Sequence, residues 1–123
     1  MTTELRFSKD HEWVRVESDG LAVIGVTDFA AGQLGDVVYV DLPEEGDTIT
    51  AGTEMGEIES TKSVSDLFSP ITGTVTEVNQ AVVDAPELVN ASPFEDGWLI
   101  RASFEELPED LLTREQYTEL VGE

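Results

Sequence analysis

Few side chains in this sequence can do chemistry. His11 is the only histidine and there is no cysteine. That removes thiol nucleophiles, disulfides and cysteine-ligated metals, and leaves a transition-metal site nothing but carboxylates. Ser60, Ser63, Ser65 and Ser69 are plentiful hydroxyls, but His11 has no local relation to them from which a triad could be built. A partly exposed, hydrogen-bonded side chain is the plainer reading of His11. No glycine-rich phosphate loop appears, and no acidic run matches a calcium loop. The pairs Glu44-Glu45 and Glu105-Glu106 read as solvated surface. The chain is therefore expected to hold no catalytic group and no metal.

Lys62 is the remaining candidate. It stands at the tip of residues 54–68, where Ile58 alternates with Glu57 and Glu59 and Val64 alternates with Ser63 and Ser65. Such alternation predicts two half-buried strands with a hairpin tip between them. Thr61 and Lys62 lack the Asn-Gly or Asp-Gly chemistry of the tightest hairpins. Either the tip is a loose turn with an incidental surface lysine, or the lysine is there for its amine. Lysine occurs elsewhere only at Lys9. A four-carbon stem ending in an amine is a place where a cofactor arm can be joined by an amide.

The elements that must position this tip are short. Residues 13–17 predict an alternating strand, Ser18-Asp19-Gly20 a turn, and residues 21–26 a strand buried on both faces. Residues 29–34 predict a small helix capped by Thr27 or Asp28 and ended by Gly35. Further strands are expected at 36–41, 48–49, 54–60, 63–68, 73–78 and 98–104, with a helical turn at 79–85 and connecting structure at 87–93. Residues 7–12 read as a polar lead-in. Thr113 and Gln116 form a capping box for a C-terminal helix over 113–121. The pattern predicts a mainly β fold, a flattened barrel or sandwich of short antiparallel strands with small helices.

At 123 residues the chain is expected to form one domain over 1–123. No apolar run is long enough to span a bilayer and the N-terminus resembles no targeting peptide, so a cytoplasmic protein is expected. Six basic residues against 27 acidic ones give a net charge of −21. Phosphate would be repelled, which argues against nucleic acid and anionic membranes. The acidity either steers the chain toward basic partners or adapts it to high salt, where a Debye length of roughly 3 Å screens self-repulsion. Because the acids spread along the whole chain, the high-salt reading is favoured.

Glu59-Ser60-Thr61-Lys62-Ser63-Val64-Ser65-Asp66 resembles the lipoylation hairpin of lipoyl carrier domains. The family's paired glycines match Gly46 and Gly73, and its ligase-recognition acid matches Glu59. Biotin carriers flank their lysine with methionines; Thr61 and Ser63 flank this one. Three further stretches narrow the resemblance to the H-protein family of the glycine cleavage system. They are Ser8-Lys9-Asp10-His11-Glu12-Trp13-Val14, Gly25-Val26-Thr27-Asp28-Phe29-Ala30 with Gln33-Leu34-Gly35-Asp36, and Asp84-Ala85-Pro86-Glu87-Leu88-Val89-Asn90 with Pro93-Phe94-Glu95-Asp96-Gly97-Trp98.

The resemblance implies a non-catalytic carrier with lipoate attached to Lys62 by a lipoate ligase or lipoyl transferase, and a monomer is expected. It implies an aminomethyl group taken from glycine decarboxylase (P protein) and given to the aminomethyltransferase (T protein). Dihydrolipoamide dehydrogenase (L protein) would reoxidise the dithiol. The loaded arm would dock in a cleft against Glu12 and Asp66. A lipoyl relay protein would share these motifs, and an unmodified acidic binding module is the bland alternative.

Overall fold

The computed structural model describes residues 5–9, 11–18, 20–105 and 111–121. Asp19 of the expected turn and Glu106 of the second acid pair lie outside them. The alternating stretches form two antiparallel sheets. The larger has the spatial order β1 (Leu5–Phe7), β2 (Glu12–Ser18), β3 (Leu21–Val26), β9 (Ile100–Phe104), β8 (Gly73–Val78) and β5 (Thr48–Ile49). The smaller runs β4 (Val37–Asp41), β6 (Glu54–Ser60) and β7 (Val64–Phe68). Among the described residues there are four helices: α1 (Asp28–Leu34), α2 (Gln80–Asp84), α3 (Leu88–Ala91) and α4 (Arg114–Val121). The fold is mainly β, as expected, and of the two expected forms it is the open sandwich; the sheets do not close into a barrel.

One core lies between the sheets. Val14, Ala22 and Ile24 of the larger meet Val40, Ile58 and Leu67 of the smaller in a single buried cluster. β3 is covered on its other face too, where Val23 joins Phe7, Trp13 and Tyr117. This double burial explains why residues 21–26 show no polar alternation. The rings of Phe7 and Tyr117 stack at 4.7 Å, so α4 covers the second cluster. Its start is fixed by reciprocal bonds, Thr113 N–H to Gln116 Oε1 at 3.0 Å and Gln116 N–H to Thr113 Oγ1 at 3.2 Å. Trp13 and Phe7 are wholly buried; each side chain of this size contributes about 2–3 kcal/mol of transfer free energy.

Two segments differ from expectation. The polar lead-in contains β1, and Phe7 is buried because it pairs with Trp13 on one side and exchanges backbone bonds with Leu112 on the other. Residues 87–93 contain α3 rather than bare connection. One turn of helix is too short to show a helical period.

Arg101 ties the larger sheet together at its surface. Its guanidinium donates to Glu17 at 2.8 Å and to Glu77 at 2.9 Å, and lies 4.4 Å from the centre of the Trp98 ring. The hydrogen bond from Arg101 holds the Glu17 carboxyl below the usual carboxylate range. A depressed folded pKa gives stability that is present above the unfolded value, about 4.3, and lost as pH falls through the folded one. Arg101→Met is therefore expected to flatten the fall in stability below about pH 4.3, measured by urea denaturation across pH. The difference at neutral pH should stay within about 1 kcal/mol, since the pair is partly solvated.

Candidate functional site

The hairpin of β6 and β7 pairs from Glu54 with Phe68 up to Glu59 with Val64. Its tip solves the missing turn chemistry with a serine. Ser60 Oγ accepts the N–H of Lys62 at 3.2 Å and of Ser63 at 3.1 Å, and donates to the Ser63 carbonyl at 3.1 Å. Ser60 N–H closes the turn on the same carbonyl at 2.8 Å. A side-chain hydroxyl thus stands in for a special backbone conformation.

The tip does not hang free. Thr61 N–H donates to the Asp36 carbonyl at 3.0 Å. The Lys62 stem lies on Gly35, where an added Cβ would come 3.2 Å from Lys62 Cε. Gly35 ends α1 at φ +85°, a conformation that glycine adopts without strain. Asn90 of α3 then locks this segment. Its amide nitrogen donates to the carbonyls of Gly35 at 2.8 Å and Ala31 at 3.4 Å, while its oxygen accepts Val37 N–H at 2.8 Å. One side chain satisfies the end of α1 and the start of β4 together.

Beside the tip is a cleft of about 520 Å³. Its walls are Phe29, Ala30, Gln33 and Leu34 of α1 and Ser65 to Phe68 of the edge strand β7, with Val26 and Ile58 between them. Leu34 immediately precedes Gly35, so the lysine seat and the cleft adjoin. Glu12 also lines the cleft although only 2% exposed. Its carboxyl accepts from Ser8 Oγ at 2.6 Å and from Phe68 N–H at 3.4 Å, and its own N–H donates to Ser8 Oγ at 3.2 Å. His11 lines the cleft with a positive φ of 67°, its Nδ1 2.8 Å from the Tyr117 hydroxyl and its ring 4.9 Å from Phe29. The same hydroxyl is 2.7 Å from Thr27 Oγ1, which also caps α1 by accepting Ala30 N–H. Helix α4 is thus tied to the cleft walls through one oxygen.

The expected site residues fall in three places. Glu12 and Asp66 line the same cleft, Glu12 buried and Asp66 exposed on the edge strand. Glu59 lies on β6 in register between Tyr39 and Val64. Gly46 and Gly73 are not in the hairpin. Gly46 turns at φ +92° and donates to the Val75 carbonyl at 2.8 Å. Gly73 opens β8, the strand expected over 73–78, and a Cβ there would overlap the Ser103 carbonyl oxygen. Gly46 is dictated by the left-handed backbone of its turn and Gly73 by close sheet packing. Sequence reasoning missed Ser8, Ser60 and Asn90 as supports. A serine two residues before the lysine was a visible turn signal; nothing near Asn90 announced its partners.

A lysine is thus braced at the tip of a hairpin on a two-sheet β fold, with a cleft at its side. The chain matches the family described as Glycine cleavage H-protein over residues 5–123, and it belongs to that family. It is 59% identical over 119 residues to the glycine cleavage system H protein of Streptomyces avermitilis, covering 97% of this chain and 95% of that one. To the H protein of Geobacillus thermodenitrificans it is 53% identical over 122 residues, covering 98% and 95%. The crystal structure of a glycine cleavage system H protein from Mycobacterium marinum superposes with a TM-score of 0.92 at 39% identity, over 100% of both chains.

Replacing Asn90 by leucine keeps the branched shape but strands the Val37 N–H and the Gly35 carbonyl. We expect a loss of about 1–3 kcal/mol in urea denaturation. Faster amide exchange at Val37 and Thr61 should accompany it.

Proposed function

We propose that this chain is the lipoyl-lysine carrier of glycine cleavage, with lipoate joined to Lys62 by an amide. The carrying observation is the pairing of an exposed, braced lysine with an adjoining cleft that is mostly apolar and has one buried carboxyl. The residues present fit such a group. Phe29, Leu34, Ile58 and Leu67 offer apolar walls to a hydrocarbon arm, and Glu12 offers a carboxyl already oriented by Ser8 and Phe68. When bound, lipoate supplies the disulfide that takes up an aminomethyl group and the dithiol that is left after its release.

The chain's own work is to hold and to shield. Ser60 and Asp36 fix where the amine starts, and Gly35 supports its stem. Glu12 and Asp66 set carboxyls beside the cleft, which Lys9 also lines, and a carboxyl suits a cationic aminomethyl nitrogen in a site less polar than water. On this reading the chain receives the aminomethyl group of glycine from glycine decarboxylase and presents it to the aminomethyltransferase. Dihydrolipoamide dehydrogenase restores the disulfide. A lipoate ligase or lipoyl transferase installs the group, and the carrier works as a cytoplasmic monomer. Among the described residues no helix is long and apolar enough to cross a membrane.

Intact-mass measurement after incubation with a lipoate ligase, lipoate and ATP tests the attachment. One added lipoyl group is expected on the wild-type chain and none on Lys62→Arg. No addition to the wild type, or addition that survives the substitution, would contradict it.

A further inference from the structure

Lysine and arginine together number six in a chain of net charge −21. Three of them lie over aromatic rings. Arg15 is 5.2 Å from the Trp13 ring centre, Arg101 4.4 Å from that of Trp98, and Arg114 5.2 Å and 5.6 Å from those of Phe7 and Phe94. None of these three lines the cleft. Lys9 does. Its side chain is exposed, and it makes no ion pair among the described residues.

Lys9 follows Ser8, which is tied to Glu12 by three hydrogen bonds. Ser8 N–H donates to the Glu12 carbonyl at 2.9 Å, and its hydroxyl donates to Glu12 Oε1 at 2.6 Å. Glu12 N–H donates back to that hydroxyl at 3.2 Å. The cation and the buried carboxyl therefore start from one fixed point. Asp66 reaches the same cleft from β7. His11, also in the lining, has its Nδ1 on the Tyr117 hydroxyl and its ring on Phe29. Two carboxyls and one ammonium thus face a space that is otherwise mostly apolar, where charges act on one another more strongly than in bulk water.

We propose that Lys9 governs how firmly the cleft holds a charged arm. The inference rests on the reading of Lys62 as a lipoylated lysine whose loaded arm lies beside Glu12 and Asp66. An aminomethyl nitrogen is a cation there. The carboxyls attract it and the Lys9 ammonium repels it, so the net hold is the difference between the two. A carrier depends on that difference, because it must keep the group from water and still surrender it to the next enzyme. With no described carboxylate paired to it, the ammonium keeps its charge available to act on the arm. Solvent screens part of the effect, so its size is that of a surface pair and not of a buried one. An arm ending in the uncharged disulfide feels neither the attraction nor the repulsion. Lys9 therefore bears on the loaded state and leaves the oxidised one alone.

The test loads the lipoylated full chain with glycine and glycine decarboxylase, removes the decarboxylase, and follows ammonia released into buffer. In that release water takes the place of ammonia on the methylene carbon, and formaldehyde then leaves the sulfur as the thiol re-forms. A firmer hold keeps the arm from water and slows it. We expect Lys9→Gln to release ammonia about threefold more slowly than wild type, Lys9→Glu more slowly still, and Lys9→Arg at the wild-type rate. The differences should shrink toward about 1 M salt, where the Debye length is roughly 3 Å. Transfer by the aminomethyltransferase should slow in the same order. All three variants should match wild type in urea denaturation, since Lys9 is exposed. Release from Lys9→Gln at the wild-type rate or faster overturns the proposal, and so does a difference that molar salt leaves intact. A wild-type chain that takes up no lipoyl group would instead bring down the reading of Lys62 on which the proposal stands. So would a loaded wild-type arm that loses ammonia as fast as free aminomethylated dihydrolipoamide.

Discussion

A lysine at the end of a two-strand finger is only as fixed as the point where the finger is fastened. Here the fastening is the segment from Gly35 to Val37, which receives a backbone hydrogen bond from Thr61 and the stem of Lys62. That segment is irregular and would have stray backbone groups. Asn90 pairs with Gly35 and Val37 and holds the segment against α1. The small helix that carries Asn90 thus supports the lysine through Gly35 and Val37. Its four residues are too few to be stable alone, and burial of Val89 in the main core fixes them.

A second restraint acts on the cleft. Tyr117 lies in the apolar cluster that covers the outer face of β3, yet its hydroxyl reaches His11 and Thr27 at the cleft wall. Thr27 also caps α1, the helix that forms that wall and ends in the lysine seat. Packing on one side of the larger sheet therefore sets the position of the cleft on the other. The unusual φ of His11 is explicable in these terms, because its carbonyl accepts Thr27 N–H at 3.0 Å while its ring meets Tyr117.

Much of this fold was legible in the sequence where a period or a cap carried the signal. Residues 21–26 announced a doubly covered strand, Thr27 and Gly35 bracketed α1, and Thr113 with Gln116 marked α4. The lysine, its flanking strands and the family resemblance were likewise visible. What stayed hidden depends on partners far away in sequence. Phe7 looks polar-flanked until Leu112 is seen beside it. Asn90 looks like loop until the end of α1 arrives. Gly73 shows no need for glycine until the Ser103 carbonyl is placed against it. Asp66 shares a cleft with Glu12, but register sets it on the exposed row with Glu57, a distinction that spacing alone does not make.

The acidity of the chain bears on the site as well as on solubility. Asp41, Glu57, Glu59 and Asp66 concentrate negative charge on the sheet that carries Lys62, where it can guide basic partners. Whether the chain serves glycine cleavage itself is decided most directly by glycine–bicarbonate exchange, with the fully lipoylated chain added to glycine decarboxylase. The account requires glycine-dependent exchange of labelled carbon dioxide that saturates with carrier concentration and vanishes with Lys62→Arg. A lipoylated chain that supports no exchange, while still passing its lipoyl group to other proteins, would contradict it.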